Sequence, residues 1–280
     1  FSAYLMLDIH THLYFDSFDA DREATILRAR EADIKQMIVV GCDLLECQQA
    51  VDLAGRFDDM YASVGIHPNE FRKDSGFMIQ DSSWVQELEE LAKDPKVVAI
   101  GECGLDYSAS HGGIDAETKA KQQAGFLAQL ELAEKLDLPV IVHCRDAYED
   151  LLEILKSKIV NLKSVILHCY MGDTEVTRRF LELPNLYFSF TGNITYPVKK
   201  DLAGTKDDLT ETVRLIPKER LFVETDCPFL APQAKRGERN EPAYAIHTAE
   251  KACELLGLTR PVLDAALEEN FERVFQSRLR

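Results

Sequence analysis

LFVETDCPF, residues Leu221–Phe229, opens as a buried β-strand and ends on two acids. Leu221, Phe222 and Val223 form the apolar run. Glu224 and Asp226 then fall on one side of it, because strand side chains alternate with period two. An unpaired buried carboxylate is costly, so such groups are paired, hydrogen-bonded or bound to a metal. The stretch therefore demands a partner from the rest of the chain.

Seven more short apolar runs precede it: Leu5–Ile9, Gln36–Gly41, Tyr61–Ile66, Val97–Gly101, Pro139–Val142, Ser164–Leu167 and Leu186–Phe190. Charged stretches with helical periodicity lie between them, as in Ala116–Leu136 and Asp146–Lys158. Asp43, Asp81 and Asp173 stand where helix N-caps belong. Strand followed by helix, eight times over, predicts an α/β protein with a single (β/α)8 TIM-type barrel. A doubly wound open sheet is the alternative. No Gly/Ser/Pro linker or low-complexity tract divides the chain, so residues 1–280 are expected to form one domain. From Glu241 onward two extra C-terminal helices, Ala243–Leu256 and Arg260–Phe275, are expected to close and cover the barrel.

Of 280 residues, 46% are hydrophobic, enough for a large core. Lys and Arg number 32 against 48 Asp and Glu, a net charge of −16, which argues against loose electrostatic binding to nucleic acid or an anionic membrane. A polyanionic substrate would need a local positive charge. The cysteines, at 42, 47, 103, 144, 169, 227 and 253, are odd in number and lack the spacing of a secreted disulfide scaffold, so a reducing cytoplasm is expected, or a nucleus in a eukaryote. No apolar run approaches the ~20 residues that span a bilayer. The first strand already carries candidate functional residues, so no cleavable leader is expected before it.

In a barrel of this kind the active site lies at the C-terminal ends of the strands. Those ends carry His10 and His12, His67, Glu102, His143 with Arg145, His168, and Asp226; only His111 and His247 fall elsewhere. His10 and His12 are two apart and face one side, the geometry for chelating one ion. Imidazoles and carboxylates together suit divalent transition metals. Satisfied core histidines are the plainer reading of any one of these residues, but not of the set. Six candidate ligands, His10, His12, Glu102, His143, His168 and Asp226, exceed what one tetrahedral ion needs, so two ions sharing a carboxylate are expected. His10, His12 and Asp226 are assigned to one, His143 and His168 to the other, and Glu102 to the bridge. Glu224, one layer deeper than Asp226, is expected to orient a ligand. Cys103, Cys144, Cys169 and Cys227 each follow a candidate ligand and should point to the opposite face, toward the helices.

The stretches DIHTH (Asp8–His12), GIHP (Gly65–Pro68), GECGLD (Gly101–Asp106), IVHCRD (Ile141–Asp146), LHCYMG (Leu167–Gly172), ETDCP (Glu224–Pro228) and RNEP (Arg239–Pro242) resemble, in this order, the TatD-related metal-dependent deoxyribonucleases, within the amidohydrolase-like metal barrels. The resemblance implies a (β/α)8 barrel that binds divalent ions at His10, His12, Glu102, His143, His168 and Asp226 and hydrolyses phosphodiester bonds in DNA. Tyr170 and Met171 stand where the family more often has Phe and then Ser or Thr. Relatives that hydrolyse small cyclic amides or esters often bridge their ions with a carboxylated lysine at the end of strand four, where this chain has Glu102.

Two divalent ions, Mg²⁺, Mn²⁺ or Zn²⁺, would supply the missing positive charge. Asp226 is the expected general base. Arg145 is expected to clamp a phosphate, His67 to donate to the scissile phosphate or the leaving oxygen, and Asn193 to touch substrate. Arg239 and Asn240 anchor the last loop. Tyr107, Tyr170 and Tyr196 are candidates for stacking on unpaired bases. The expected activity is 3′-5′ exonucleolytic hydrolysis of DNA, single-stranded or at ends, by a monomer without membrane contact. A hydrolase of small amides or esters and a non-catalytic interaction barrel are the alternatives.

Overall fold

The computed structural model describes residues 6–72, 83–108 and 114–275. Leu5, the proposed cap Asp81 and His111 lie outside the described residues. Eight parallel strands run in chain order around one sheet: β1 (Met6–Thr11), β2 (Ile34–Val40), β3 (Met60–Val64), β4 (Val97–Asp106), β5 (Val140–Arg145), β6 (Val165–Leu167), β7 (Leu186–Phe190) and β8 (Leu221–Val223). Between them lie α1 (Arg22–Glu31), α2 (Leu44–Ala54), α3 (Ser83–Leu91), α4 (Ala116–Leu136), α5 (Tyr148–Lys158), α6 (Thr174–Leu181) and α7 (Leu209–Leu215). Past the last strand the chain closes the sheet: the Asp226 N–H donates to the His10 carbonyl and the His12 N–H to the Cys227 carbonyl, both at 2.9 Å. The architecture is the TIM-type barrel.

The strands form where β-branched residues cluster, as in Ile38–Val40, Val97–Val98 and Val140–Val142, which pack well on a sheet covered on both faces. Every residue of β1 and β4 is buried. The helices start where expected: Asp43 accepts from the Glu46 N–H, and Asp173 from those of Glu175 and Val176. Each such cap is worth ~1 kcal/mol. Two helices follow β8: α8 (Ala245–Leu256), preceded by a 3₁₀ turn at Pro242–Tyr244, and α9 (Arg260–Phe275). Both lie against β1 and β8, so they cover the seam where the ends of the sheet meet. The buried Asn270 amide fastens α9 there by donating to the carbonyls of Lys218 (2.8 Å) and Leu221 (2.9 Å).

Three strands outrun their expected ends. β1 continues from Ile9 to Thr11, β4 from Gly101 to Asp106, and β5 from Val142 to Arg145, which puts His10, Glu102, Asp106, His143 and Arg145 on strands and not on loops. Two helices begin two residues later than expected, α5 at Tyr148 and α8 at Ala245.

Candidate metal centre

The extension of β4 depends on its glycines. Ile100 pairs with Val140 and Cys103 with Val142, so three residues of β4 advance against two of β5, a bulge that re-aims Glu102. Gly101 and Gly104 have φ of +140° and +144°, and a Cβ at either would collide with a β5 carbonyl oxygen, that of Ile141 or His143. Only glycine lets the two backbones approach this closely, and the approach carries Glu102 and Asp106 to His143.

Glu102 is the hub. Its Oε1 lies 2.8 Å from His143 Nδ1, 3.0 Å from His168 Nε2 and 3.5 Å from His67 Nε2. Its Oε2 lies 3.3 Å from His10 Nε2 and accepts from the Cys42 thiol at 3.5 Å. Asp226 Oδ1 sits 3.3 Å from His12 Nε2 and 3.8 Å from His10 Nε2. The His10 and His168 rings stack at 3.8 Å. Three sets have donor atoms close enough to share an ion: His10, His12 and Glu102; His10, His168 and Asp226; and His67, Glu102 and His143.

Neighbouring acceptors fix the tautomers. The Val40 carbonyl, 3.0 Å from His12 Nδ1, can only accept, so a proton sits on Nδ1 and Nε2 is the nitrogen turned toward Asp226. Glu224 does the same for His168: its Oε1 accepts from Nδ1 (3.0 Å) and from the Cys169 N–H (2.6 Å), while Oε2 accepts from Ser189 Oγ (2.6 Å). The fully buried Glu224 is therefore hydrogen-bonded throughout, and Asp226 faces imidazoles, which answers the demand made by the sequence at 221–229. Asn69 N–H donates to His67 Nδ1 at 3.1 Å, leaving His67 Nε2–H toward the centre.

Burial alone would push Glu102 and Asp226 up. The imidazoles of His168, His67, His10 and His143 instead hold Glu102 well below the usual carboxylate range, and those of His12, His168 and His10 lower Asp226. Burial pushes His10 down, and burial beside His143 pushes His67 down to about 3. Burial likewise opposes charge on His168, but Glu102 and Glu224 reverse it and raise the imidazole well above its ordinary value.

A cavity of about 950 Å³ opens onto this cluster, lined among others by His12, His67, Glu102, His143, Arg145, His168 and Asp226. Among the described residues the Arg145 guanidinium has no ion-pair partner. Asn193 is not part of the lining; its amide nitrogen and oxygen are shut off from solvent without a hydrogen-bond partner. Two of the four cysteines depart from the expected arrangement. Cys103 and Cys227 are buried, but Cys144 and Cys169 line the cavity, the latter because its φ of +43° breaks the strand alternation. Tyr170 is 1% exposed and packs among Tyr148, Phe180, Phe188 and Phe190, so it is no stacking surface. Tyr107 and Tyr196 are tied through their hydroxyls to Asp150 and the Ala231 carbonyl and stand outside the lining. Arg239 pairs with Asp21, and Asn240 holds the loop after β8.

Residues without a role in the sequence reading also line the cavity. Asp106 Oδ2 lies 3.3 Å from His143 Nε2. Cys42, Phe15, Tyr148 and Phe229 are among the others, and rim residues of this kind carry no periodic signature. Asp8, behind the site, accepts from Thr225 N–H (2.9 Å) and Thr225 Oγ1 (2.5 Å), locking β1 to the ETD segment.

The residues fit a divalent cation. Both ring nitrogens of the fully buried His10 lack a hydrogen bond, and such orphaned groups in a native core call for an explanation. Imidazole lone pairs and ionised carboxylates converge on the same point, a donor set for zinc, manganese or a similar ion.

A TIM-type barrel with this cluster at its strand ends defines a metal-dependent hydrolase. The chain belongs to the TatD related DNase family, whose model matches residues 7–276. It is 37% identical to the uncharacterized metal-dependent hydrolase YabD of Bacillus subtilis, over 97% of this chain and 99% of that one. To the 3′-5′ ssDNA/RNA exonuclease TatD of Klebsiella pneumoniae it is 34% identical, over 96% and 97%. The crystal structure of YJJV, a TatD homolog from Escherichia coli K12, superposes with a TM-score of 0.84 at 28% identity, over 97% and 98% of the two chains.

Proposed function

We propose that the protein is a 3′-5′ exonuclease that hydrolyses the phosphodiester bonds of single-stranded or frayed DNA ends. The observation that carries this reading is the division of labour within Glu102: one carboxylate oxygen meets His10, the other His67, His143 and His168. Such a carboxylate suits a bridge between two ions, with His10, His12 and Asp226 on one side and His143 and His168 on the other. The relatives named as 3′-5′ ssDNA/RNA exonucleases support the substrate class.

Two bound divalent ions would lower the pKa of a water and neutralise charge developing on phosphorus oxygens. The chain's own groups do the rest. Asp226, kept ionised by the histidines around it, accepts a proton from the attacking water as general base. Arg145, without an ion-pair partner among the described residues, offers at the cavity wall the fork that holds a phosphate in an otherwise acidic protein. His67, neutral and with its tautomer set by Asn69, donates from Nε2 to the scissile phosphate or the leaving oxygen. Glu224 keeps His168 oriented. The whole is read as one barrel domain acting as a monomer.

The test is cleavage of 5′-labelled single- and double-stranded DNA with Mg²⁺, Mn²⁺, Zn²⁺ or chelator. Metal-dependent shortening from the 3′ end, abolished in Glu102→Ala and Asp226→Asn variants that stay folded, supports the reading. Absence of cleavage with every metal, or cleavage that survives both substitutions, defeats it.

A further inference from the structure

We propose that Phe229 and Phe15 form a stacking platform for one unpaired nucleobase next to the scissile phosphate, so the strand end is gripped by its base as well as its phosphate. The proposal rests on the nuclease reading and adds to it the group that selects an unpaired strand.

Phe229 is 51% exposed, an unusual state for a large aromatic side chain, and it lines the cavity that holds the metal cluster. Phe15, half-buried, lies flat on the His12 ring, with centroids 5.1 Å apart and planes at 20°, and meets Phe229 edge-on at 6.0 Å. Phe229 is itself 6.3 Å from His12. The aromatic surface thus begins at a candidate metal ligand and runs outward along the wall. Exposed apolar surface joined to a polar centre marks a binding site.

The backbone beneath the platform is anchored. The Phe229 N–H donates to the Asp226 carbonyl at 2.9 Å, which holds its backbone close to the proposed base three residues earlier. The Asn240 amide, fully buried, donates to the carbonyls of Phe229 (2.6 Å) and Thr225 (2.8 Å), and its backbone N–H donates to the Pro228 carbonyl (3.1 Å). The RNEP segment therefore does more than anchor a loop: it presents the Phe229 ring.

The ligand chemistry follows from what shares the cavity. Arg145, without an ion-pair partner among the described residues, supplies a cation for a phosphate, the cluster supplies the reacting centre, and the exposed Phe229 ring, flanked edge-on by Phe15, supplies an apolar aromatic face. A nucleotide has one charged group and one flat aromatic group joined by a sugar, and matches that set. The tyrosines that the sequence offered for stacking are buried or tied elsewhere. Tyr148, which also lines the cavity, has its hydroxyl engaged by the Met171 N–H at 3.1 Å and its ring against Tyr170.

The experiment uses single-stranded oligonucleotides in which each base near the 3′ end is replaced in turn by an abasic tetrahydrofuran residue. Removal of one particular base should lower kcat/KM for the wild-type chain about tenfold or more, the scale of a base stacked on an aromatic ring. Phe229→Ala should lose a similar factor on the complete oligonucleotide and nothing further on that abasic one. Losses that multiply, or no loss in Phe229→Ala, overturn the proposal. Phe229→Trp provides a readout independent of cleavage: its fluorescence, less that of Trp84 in the wild type, should be quenched by the complete oligonucleotide and not by the abasic one. If the wild type cleaves no DNA, the nuclease reading fails by itself. Base-dependent quenching would then still uphold the platform, and its absence would overturn it.

Discussion

Glu224→Gln separates a residue that orients a metal ligand from one that merely fills the core. The wild-type carboxylate is fully buried and accepts three hydrogen bonds, from His168 Nδ1 (3.0 Å), the Cys169 N–H (2.6 Å) and Ser189 Oγ (2.6 Å). Glutamine has the same shape. Its carbonyl oxygen can still accept from His168 and Cys169, and its amide faces the Ser189 hydroxyl, which can rotate to accept. The Ser189 O–H and the second amide N–H then lack an acceptor, so the apo protein loses ~2–4 kcal/mol in all. Glu224→Ala instead leaves three buried donors unpaired at ~1–3 kcal/mol each, a total that rivals the stability of a typical domain.

Metal binding should weaken in the glutamine variant as well. A carboxylate on Nδ1–H makes Nε2 a better donor, and losing that support typically costs ~10–100-fold in metal affinity. Calorimetric titration of the apo protein with Mn²⁺ or Zn²⁺, beside urea denaturation of the same sample, reads both quantities. Wild-type metal affinity in Glu224→Gln would refute the orienting role. A stability loss as large as that of the alanine variant would refute the hydrogen-bond argument.

Four further outcomes are expected. Gly104→Ala should destabilise by more than ~4 kcal/mol, because φ is +144° and the new methyl meets the His143 carbonyl oxygen; soluble yield and urea midpoint check this. Tyr170→Phe should cost ~1 kcal/mol, the bond between its hydroxyl and Thr177 Oγ1 (2.8 Å), and leave DNA cleavage unchanged, whereas a fall in cleavage would restore Tyr170 to the substrate site. Arg145→Ala should change stability by less than ~0.5 kcal/mol, having no ion pair to lose among the described residues, yet raise KM for DNA in steady-state assays. Arg239→Ala tests acid stability. Arg239, with Arg28, holds the Asp21 carboxyl well below its ordinary value of 3.8, and a depressed carboxylate stabilises above its unfolded pKa and loses that contribution as pH falls through the folded one. Asp21 is partly exposed, so the ion pair should contribute only ~1 kcal/mol of the gap at pH 7, and the gap should narrow by that amount as pH drops below 3.8 to what the Ser17 carbonyl and Phe18 contacts leave; a gap independent of pH would contradict the ion pair.

Much of the candidate site was legible because its residues sit where a regular strand ends. His10, His12, His143, His168 and Glu102 each follow an apolar run, and the barrel's rule about strand ends selects them without any knowledge of packing. Asp106 was not legible as a site residue, since Gly101 read as the end of β4. Gly101 and Gly104 are what allows β4 to continue past a bulge, so the punctuation seen in sequence marks a close approach and not a stop. Cys169 failed for a related reason. Period-two alternation holds only while the backbone stays extended, and Cys169, Asp146 and Asp226 all turn to positive φ at the rim.

The same departures from regularity make the centre possible. A strictly alternating set of strand ends would aim every second side chain into the barrel and leave the ligands in separate layers. Positive φ at Asp226 and Cys169 and the bulge at Glu102 bring side chains from β1, β4, β5 and the segments after β6 and β8 to one point. Those irregular backbones are held from behind by buried polar anchors: Asp8 on Thr225, Glu224 on Cys169 and Asn240 on Phe229. Each anchor lies in one of the motifs that carry the family resemblance, yet none is a candidate metal ligand. Substituting an anchor should therefore loosen several ligands at once, where substituting a ligand removes one, and the two kinds of variant should differ in how many metal equivalents they still bind.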